Sequence, residues 1–312
     1  MRLCFVVCYM GRLPAYFPLW LSTCARNPTV DWLAVTDGAV PCAVPPNVRI
    51  VRMTFDEVRA RLSALFPFPI ALKTPWKLCD YKPAFGEAFA DLLAGYDLWG
   101  FCDLDVLWGD IRAFFPDEIL RGYPRILTRG HCSLFRSDPE TNALYRTLPA
   151  RGCQDWRDVY SSDGVRAFDE WAGHCGGGLS EIFRRNGIPQ YDGRIYLGPD
   201  ARRTHLYLEE TPGVYGPEYC VICRDGKLYA AMLRGDQVIL REYLYFHFQK
   251  RPPVLPPDGP PRGDFAFIPP NRVVPLPGTL TAEQLGRWMT VRGISLQPLN
   301  ARLAQIRDRL QR

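Results

Sequence analysis

Lysine is scarce in this chain, limited to Lys73, Lys77, Lys82, Lys227 and Lys250, so the formal net charge of +5 rests almost wholly on arginine. That bias is as much the mark of a GC-rich genome as of a function. Basic runs interleaved with aromatics are missing, which argues against nucleic acid as a partner. A modest positive balance instead suits a ligand that carries phosphates. No apolar run approaches the roughly 20 residues a membrane span needs. A cleavable leader is not expected either. The apolar segment after Arg2 is very short, and Gly11-Arg12-Leu13-Pro14 stands where a small-residue cleavage site belongs, so residues 2–8 read as a first strand. No internal repeat is visible. No Lys-Ser/Thr follows Gly176-Gly177-Gly178 to make a P-loop, and the G-x-G-x-x-G spacing of a dinucleotide fold is absent.

Cysteine is not scarce: the chain holds 11. Without a leader, these are expected as reduced thiols of a cytoplasmic protein, many of them small buried hydrophobes. Cys220-Val-Ile-Cys223 has no second pair at zinc-finger spacing. In a strand its two side chains point to opposite faces, which disfavours a metal or redox role.

With 312 residues, 47% hydrophobic and 23% charged, the chain has an ordinary globular composition and enough length to bury a full core. Strand-length apolar runs at 2–8, 32–36 and 48–53 surround a helix at 17–24, which is how a nucleotide-binding α/β half-domain begins. Thr54 and Glu57 form a capping box for a helix at 54–65, and a further helix is expected at 84–93 with Pro83 at its first turn. Asp225-Gly226 joins two β-rich runs of a meander covering 218–250. The fold class is therefore α/β: a Rossmann-like mixed sheet flanked by helices, with a β-meander and a C-terminal helical tail. Residues 1–250 read as one domain, 251–278 as a Pro-rich extended segment that wraps it or links to the tail, and 279–312 as two helices. The last of these, at 298–312, is basic and amphipathic. It suits an anionic membrane face, a partner or its own domain.

Residues 96–110, YDLWGFCDLDVLWGD, hold the most informative pattern. A buried strand ends at Asp103-Leu104-Asp105, and two carboxylates at that place need a counter-charge or water. They read as solvated loop residues, as a salt-bridge site, or as ligands of a hard divalent cation, Mn²⁺ or Mg²⁺, bridging to phosphates. Asp80 and Lys82 stand at a helix N-terminus, where a lysine opposes the dipole and a phosphate or carboxylate contact would explain it. Asp37 ends a strand and suits either a ribose contact or an Asp-Gly turn. His247, followed by Lys250 and Arg251, closes the last meander strand and suits a third metal position with phosphate contacts, or a plain structural histidine. Asp163, Asp169 and Glu170 precede the Gly176–178 run, which would expose backbone N–H groups to a ligand or serve as a simple turn.

With these residues, the N-terminal 250 residues resemble the GT-A class of sugar-nucleotide glycosyltransferases. The run YKPAFGEAF followed by YDLWGFCDLDVLWGD looks like that of a bacterial family of polysaccharide glycosyltransferases. The resemblance implies a nucleotide-sugar donor and a polysaccharide or lipid-linked saccharide acceptor, with the enzyme in the cytoplasm, at the inner membrane face. It implies that Asp103, Asp105 and His247 hold Mn²⁺ or Mg²⁺, that Asp103 also reaches the ribose, that Tyr9 and Asp37 lie beside the nucleoside, and that Lys250 or Arg251 lies near the diphosphate. Asp169 and Glu170 are then candidates to deprotonate the acceptor. A metal-dependent nucleotidyltransferase or phosphohydrolase would use the same acidic pair, and a non-catalytic carbohydrate-binding domain is the reading from another class.

Overall fold

The structure, a computed structural model, describes residues 1–291 apart from Arg194 and Pro212, together with Leu299 and Leu303. Strand β1 (Leu3–Cys8) lies between β2 (Val30–Thr36) and β4 (Leu98–Cys102), and β3 (Val48–Arg52) extends the sheet beyond β2, all four parallel. Continuous apolar runs suit strands covered on both faces. In β1, Leu3, Phe5 and Val7 pack with Trp20 and Trp32 on one side, and Cys4 and Val6 pack with Val58 and Leu62 on the other. Two antiparallel strands, β7 (Cys132–Arg136) beside β4 and β6 (Arg125–Arg129) beside β7, continue the sheet. Short β8 (Gln190–Tyr191) closes it, giving a mixed seven-stranded order β3-β2-β1-β4-β7-β6-β8 flanked by helices.

Helix Phe17–Ala25 separates this sheet from a second layer, with Trp20 turned to the first and Leu19 to the other. That second layer holds a three-stranded sheet of β5 (Val106–Trp108), β15 (Tyr245–His247) and β9 (Tyr196–Leu197), in the order β5-β15-β9. It also holds a five-stranded antiparallel sheet built on β12 (Cys220–Arg224), β13 (Lys227–Arg234) and β14 (Gln237–Tyr243). A hairpin of β10 (Tyr207–Thr211) and β11 (Val214–Glu218) stands beside them.

Several sequence expectations are refined here. The capping box forms, with Glu57 N donating to Thr54 Oγ1 and Thr54 N to Glu57 Oε2, ahead of helix Phe55–Ser63. The expected helix at 84–93 is shorter. Only Phe85–Ala88 of it is α-helical, preceded by the single turns Pro75–Lys77, Leu78–Tyr81 and Lys82–Ala84. The last meander run splits at Leu244, so that β15 leaves the meander and joins β5. Inside the Pro-rich segment, β16 (Phe265–Ile268) and β17 (Arg272–Pro275) extend the five-stranded sheet through β12. Helix Ala282–Met289 covers that sheet, burying Leu285 and Met289 against Cys220 and Ile222. Cys223 packs on the opposite face, as the strand alternation requires, and all 11 cysteines are free. The basic helix expected at 298–312 lies outside the described residues except for Leu299 and Leu303. Among the described residues no helix is long and apolar enough to cross a membrane.

Candidate active site

Strand β4 ends at Cys102 and β5 begins at Val106, so Asp103 and Asp105 occupy the tight connection between them. β15 runs antiparallel to β5 with His247 opposite Val106, and Phe248 N donates to the Asp105 carbonyl at 3.0 Å. This register carries His247 Nε2 to 3.3 Å from Asp105 Oδ2. One ligand atom each from Asp103, Asp105 and His247 all lie within 4.8 Å of one another. Among the described residues the buried His247 Nδ1 has no hydrogen-bond partner, so the ring enters the cluster with unmet polar capacity.

The turn between β6 and β7, Gly130-His131, roofs the cluster. The His131 carbonyl accepts from Asp103 N at 3.0 Å, and its ring stacks on that of His247 at 3.8 Å while Nε2 meets the Tyr245 hydroxyl at 2.9 Å. Burial, then the nearby His247, Lys82 and Arg129, pushes the His131 imidazole well below its usual range, which keeps it neutral. A register shift beside Leu127, whose φ is 63°, aims this turn at the site.

Lys82 joins the two acidic regions. Its ammonium donates to Asp103 Oδ1 at 2.7 Å and to the Gly130 carbonyl at 2.6 Å, and lies 3.4 Å from Asp169 Oδ2. A carboxylate contact therefore accounts for a lysine at this helix start. A Cβ placed on Gly130 would stand 2.8 Å from Asp169 Oδ2 and 3.2 Å from Glu170 Oε2, so both carboxylates face the turn. Asp169 is buried and Glu170 half-buried.

Three supports hold the loop that carries this acidic pair. Arg125, fully buried, donates to the Asp169 carbonyl, to Ser180 Oγ and to Ser133 Oγ. The Gly176–178 run gives its backbone to the loop: Gly177 N donates to Ala172, Gly178 N to Trp171, Leu179 N to Phe168 and Ser180 N to Glu170. Any side chain at Gly178 would collide with the Glu170 carbonyl oxygen. Those amides are thus spent on the protein rather than shown to a ligand. Asp80 is the third support. It is fully buried and accepts from Lys77 Nζ at 2.8 Å, and from Arg166 N and Phe168 N at 2.9 Å each.

Asp80 is accordingly not a ligand contact but a brace, and the same correction applies to Arg251. Arg251 is fully buried, and its guanidinium donates to the carbonyls of Thr204, Pro270, Asp200 and Arg203, so it has no face for a diphosphate. Lys250, half-buried, lies in the turn after β15. Asp163 pairs with Lys73 at the surface, 2.6 Å apart. Asp37 is exposed at the end of β2 and accepts from Gly11 N at 2.6 Å, lining with Arg12, Leu13 and Pro14 an open cleft of about 720 Å³. Tyr9 is half-buried at the end of β1, its N donating to the Val35 carbonyl.

Sequence reasoning missed His131, Arg125 and Tyr16. Tyr16 precedes helix Phe17–Ala25 and packs edge-on against Phe248 at 5.0 Å. Burial, followed by the charges of Asp105, Tyr9 and Asp103, raises its phenol. The one available signal was Gly130 between two β-rich runs, which marks a two-residue hairpin turn.

Burial raises the Asp169 carboxyl from the ordinary carboxylate range to about 8, a shift opposed by Lys82 and reinforced by Glu170, Asp80 and Asp103. Its folded state holds the proton more tightly than the unfolded chain. The resulting stability is complete below about pH 4 and is lost as pH rises through about 8. Asp169→Asn should therefore gain in melting temperature over the parent between pH 5 and pH 9 in metal-free buffer. A difference independent of pH would contradict this.

Among solved structures the chain is similar to two of the galactosyltransferase LgtC. One is a crystal structure with donor and acceptor sugar analogs (13% identity, TM-score 0.38) and the other an active-site mutant (13% identity, TM-score 0.39). Each similarity covers 64% of this chain and 76% of that one. No curated protein matches. The model of a family of unknown function, DUF6625, matches residues 5–275, and the chain belongs to that family.

Proposed function

We propose that this chain is a divalent-cation-dependent glycosyltransferase of GT-A type, moving a sugar from a nucleotide-sugar donor to a saccharide or lipid-linked saccharide acceptor. The observation that carries the reading is the convergence of Asp103, Asp105 and His247 within 4.8 Å where β4 ends. Open α/β sheets bind nucleotides at the carboxyl ends of their strands, and the Asp37 cleft stands at the end of β2, which β1 separates from β4. Two carboxylates and an imidazole fit Mn²⁺ better than Mg²⁺, because the nitrogen donor is less suited to a strictly oxygen-seeking ion. When bound, such a cation neutralises charge on a departing diphosphate.

The chain's own groups take the other roles. In this reading Asp37, at the cleft it lines with Arg12, Leu13 and Pro14, and Tyr9, at the end of β1, lie beside the nucleoside. Lys82 supplies a fixed positive charge beside Asp103. Glu170, half-buried and facing Gly130, is better placed than buried Asp169 to take a proton from an acceptor hydroxyl. Residues 1–250 form the transferase unit in this reading, with 251–278 strapped onto it by β16 and β17.

A thermal-shift screen of UDP-, GDP-, CMP- and dTDP-sugars with and without Mn²⁺ tests the proposal. One donor should raise the melting temperature only with Mn²⁺ and should then release its nucleoside diphosphate or monophosphate. Pyrophosphate released from a nucleoside triphosphate would favour a nucleotidyltransferase. No Mn²⁺-dependent response to any donor would favour a carbohydrate-binding domain.

A further inference from the structure

Lys82 has three partners and little water. Its side chain is 13% exposed, lies 5.4 Å from the Phe101 ring centroid, and spends its donors on Asp103 Oδ1, the Gly130 carbonyl and, at 3.4 Å, Asp169 Oδ2. Asp103, 38% exposed, is the one member of this trio open to an incoming ion. The carboxylate that a divalent cation would need is thus already neutralised from within the protein. Two positive centres within a few ångströms of one carboxylate repel strongly in such a partly dry site.

We infer that Lys82 is a built-in counter-ion that competes with the divalent cation for Asp103, so that the bare cation binds weakly and the site fills with a cation already carrying an anionic phosphate ligand. A cation paired with a diphosphate brings net negative charge, and the ammonium then attracts what it would otherwise repel. Coupling of this kind is reciprocal: the cation strengthens diphosphate binding by the factor by which the diphosphate strengthens cation binding. The inference rests on the cation reading of Asp103, Asp105 and His247.

Calorimetric titration of Mn²⁺ alone into the full chain and into Lys82→Gln and Lys82→Arg tests it. Gln keeps donors for Asp103 and the Gly130 carbonyl but removes the charge. Lys82→Gln should bind Mn²⁺ about tenfold more tightly than the parent, about 1.4 kcal/mol, whereas Lys82→Arg stays within about threefold. A second arm adds methylenediphosphonate with Mn²⁺ and reads the melting temperature, where Lys82→Gln should be stabilised less than the parent. Affinity for Mn²⁺ that is equal or lower in Lys82→Gln overturns the inference while leaving the cation site intact. A fall in both variants assigns Lys82 to mere support of Asp103. No binding by the parent or by Lys82→Gln overturns the cation reading and the inference together.

Discussion

Asp105→Ala is expected to lower Mn²⁺ affinity by at least about 100-fold, since supporting contacts alone are worth about 10–100-fold and this residue is a ligand in the account. The fold should hardly notice. The Asp105 side chain is 24% exposed and lies 3.3 Å from His247 Nε2, while its carbonyl, which accepts from Phe248 N, survives the substitution. A stability change within about 1 kcal/mol in metal-free buffer is the expected result. Calorimetry for affinity and urea unfolding for stability check the two halves separately. Unchanged Mn²⁺ affinity sinks the ligand role, and a large loss of stability makes Asp105 a structural residue.

Asp80→Ala should behave in the opposite way. Lys77 and Asp80 form an ion pair with side-chain exposures of 1% and 0%, and removing one partner leaves a buried ammonium facing the neutral carbonyls of Val159 and Gly164. Breaking such a pair costs about 3–5 kcal/mol. The amides of Arg166 and Phe168 lose their acceptor as well, so the loop leading into Asp169 comes loose. A strongly lowered urea midpoint is therefore expected. A midpoint equal to the parent's, with donor binding lost, would restore Asp80 to the ligand contacts.

The contrast between these two aspartates shows what the sequence could and could not convey. Asp103 and Asp105 were legible because they break an apolar run whose strand, Leu98–Cys102, was recognisable by its own composition. His247 was legible as a polar residue closing a β-rich run. The parallel start of the sheet, the helix after β1 and the meander followed from local pattern in the same way. Asp80 and Arg251 were misplaced because a charge at a helix start or strand end reads as solvent-facing, and the partners that bury them come from distant segments, 166–168 for Asp80 and 200–204 for Arg251. Arg125 lay hidden in an apolar strand for the same reason: its acceptors at Ser180 and Asp169 are 55 and 44 residues away. His131 depends on cross-strand register and on a bulge at Leu127; Gly130 marks the hairpin turn, but not that the turn is aimed at the site.

Those braces give the account its physical sense. Buried Asp80 and Arg125, together with the close approach at Gly178, fix the loop of Asp169 and Glu170, and Lys82 ties that loop to Asp103. Rigid support is what a site needs if its carboxylates are to meet ligand atoms at fixed distances.

Anomalous diffraction from a crystal soaked in Mn²⁺ tests the central claim most directly. The account predicts one strong peak among Asp103, Asp105 and His247, with carboxylate oxygens at about 2.0–2.6 Å, as hard cations require. A fully occupied peak elsewhere, or none at this cluster under saturating Mn²⁺ and a bound nucleoside diphosphate, would contradict it.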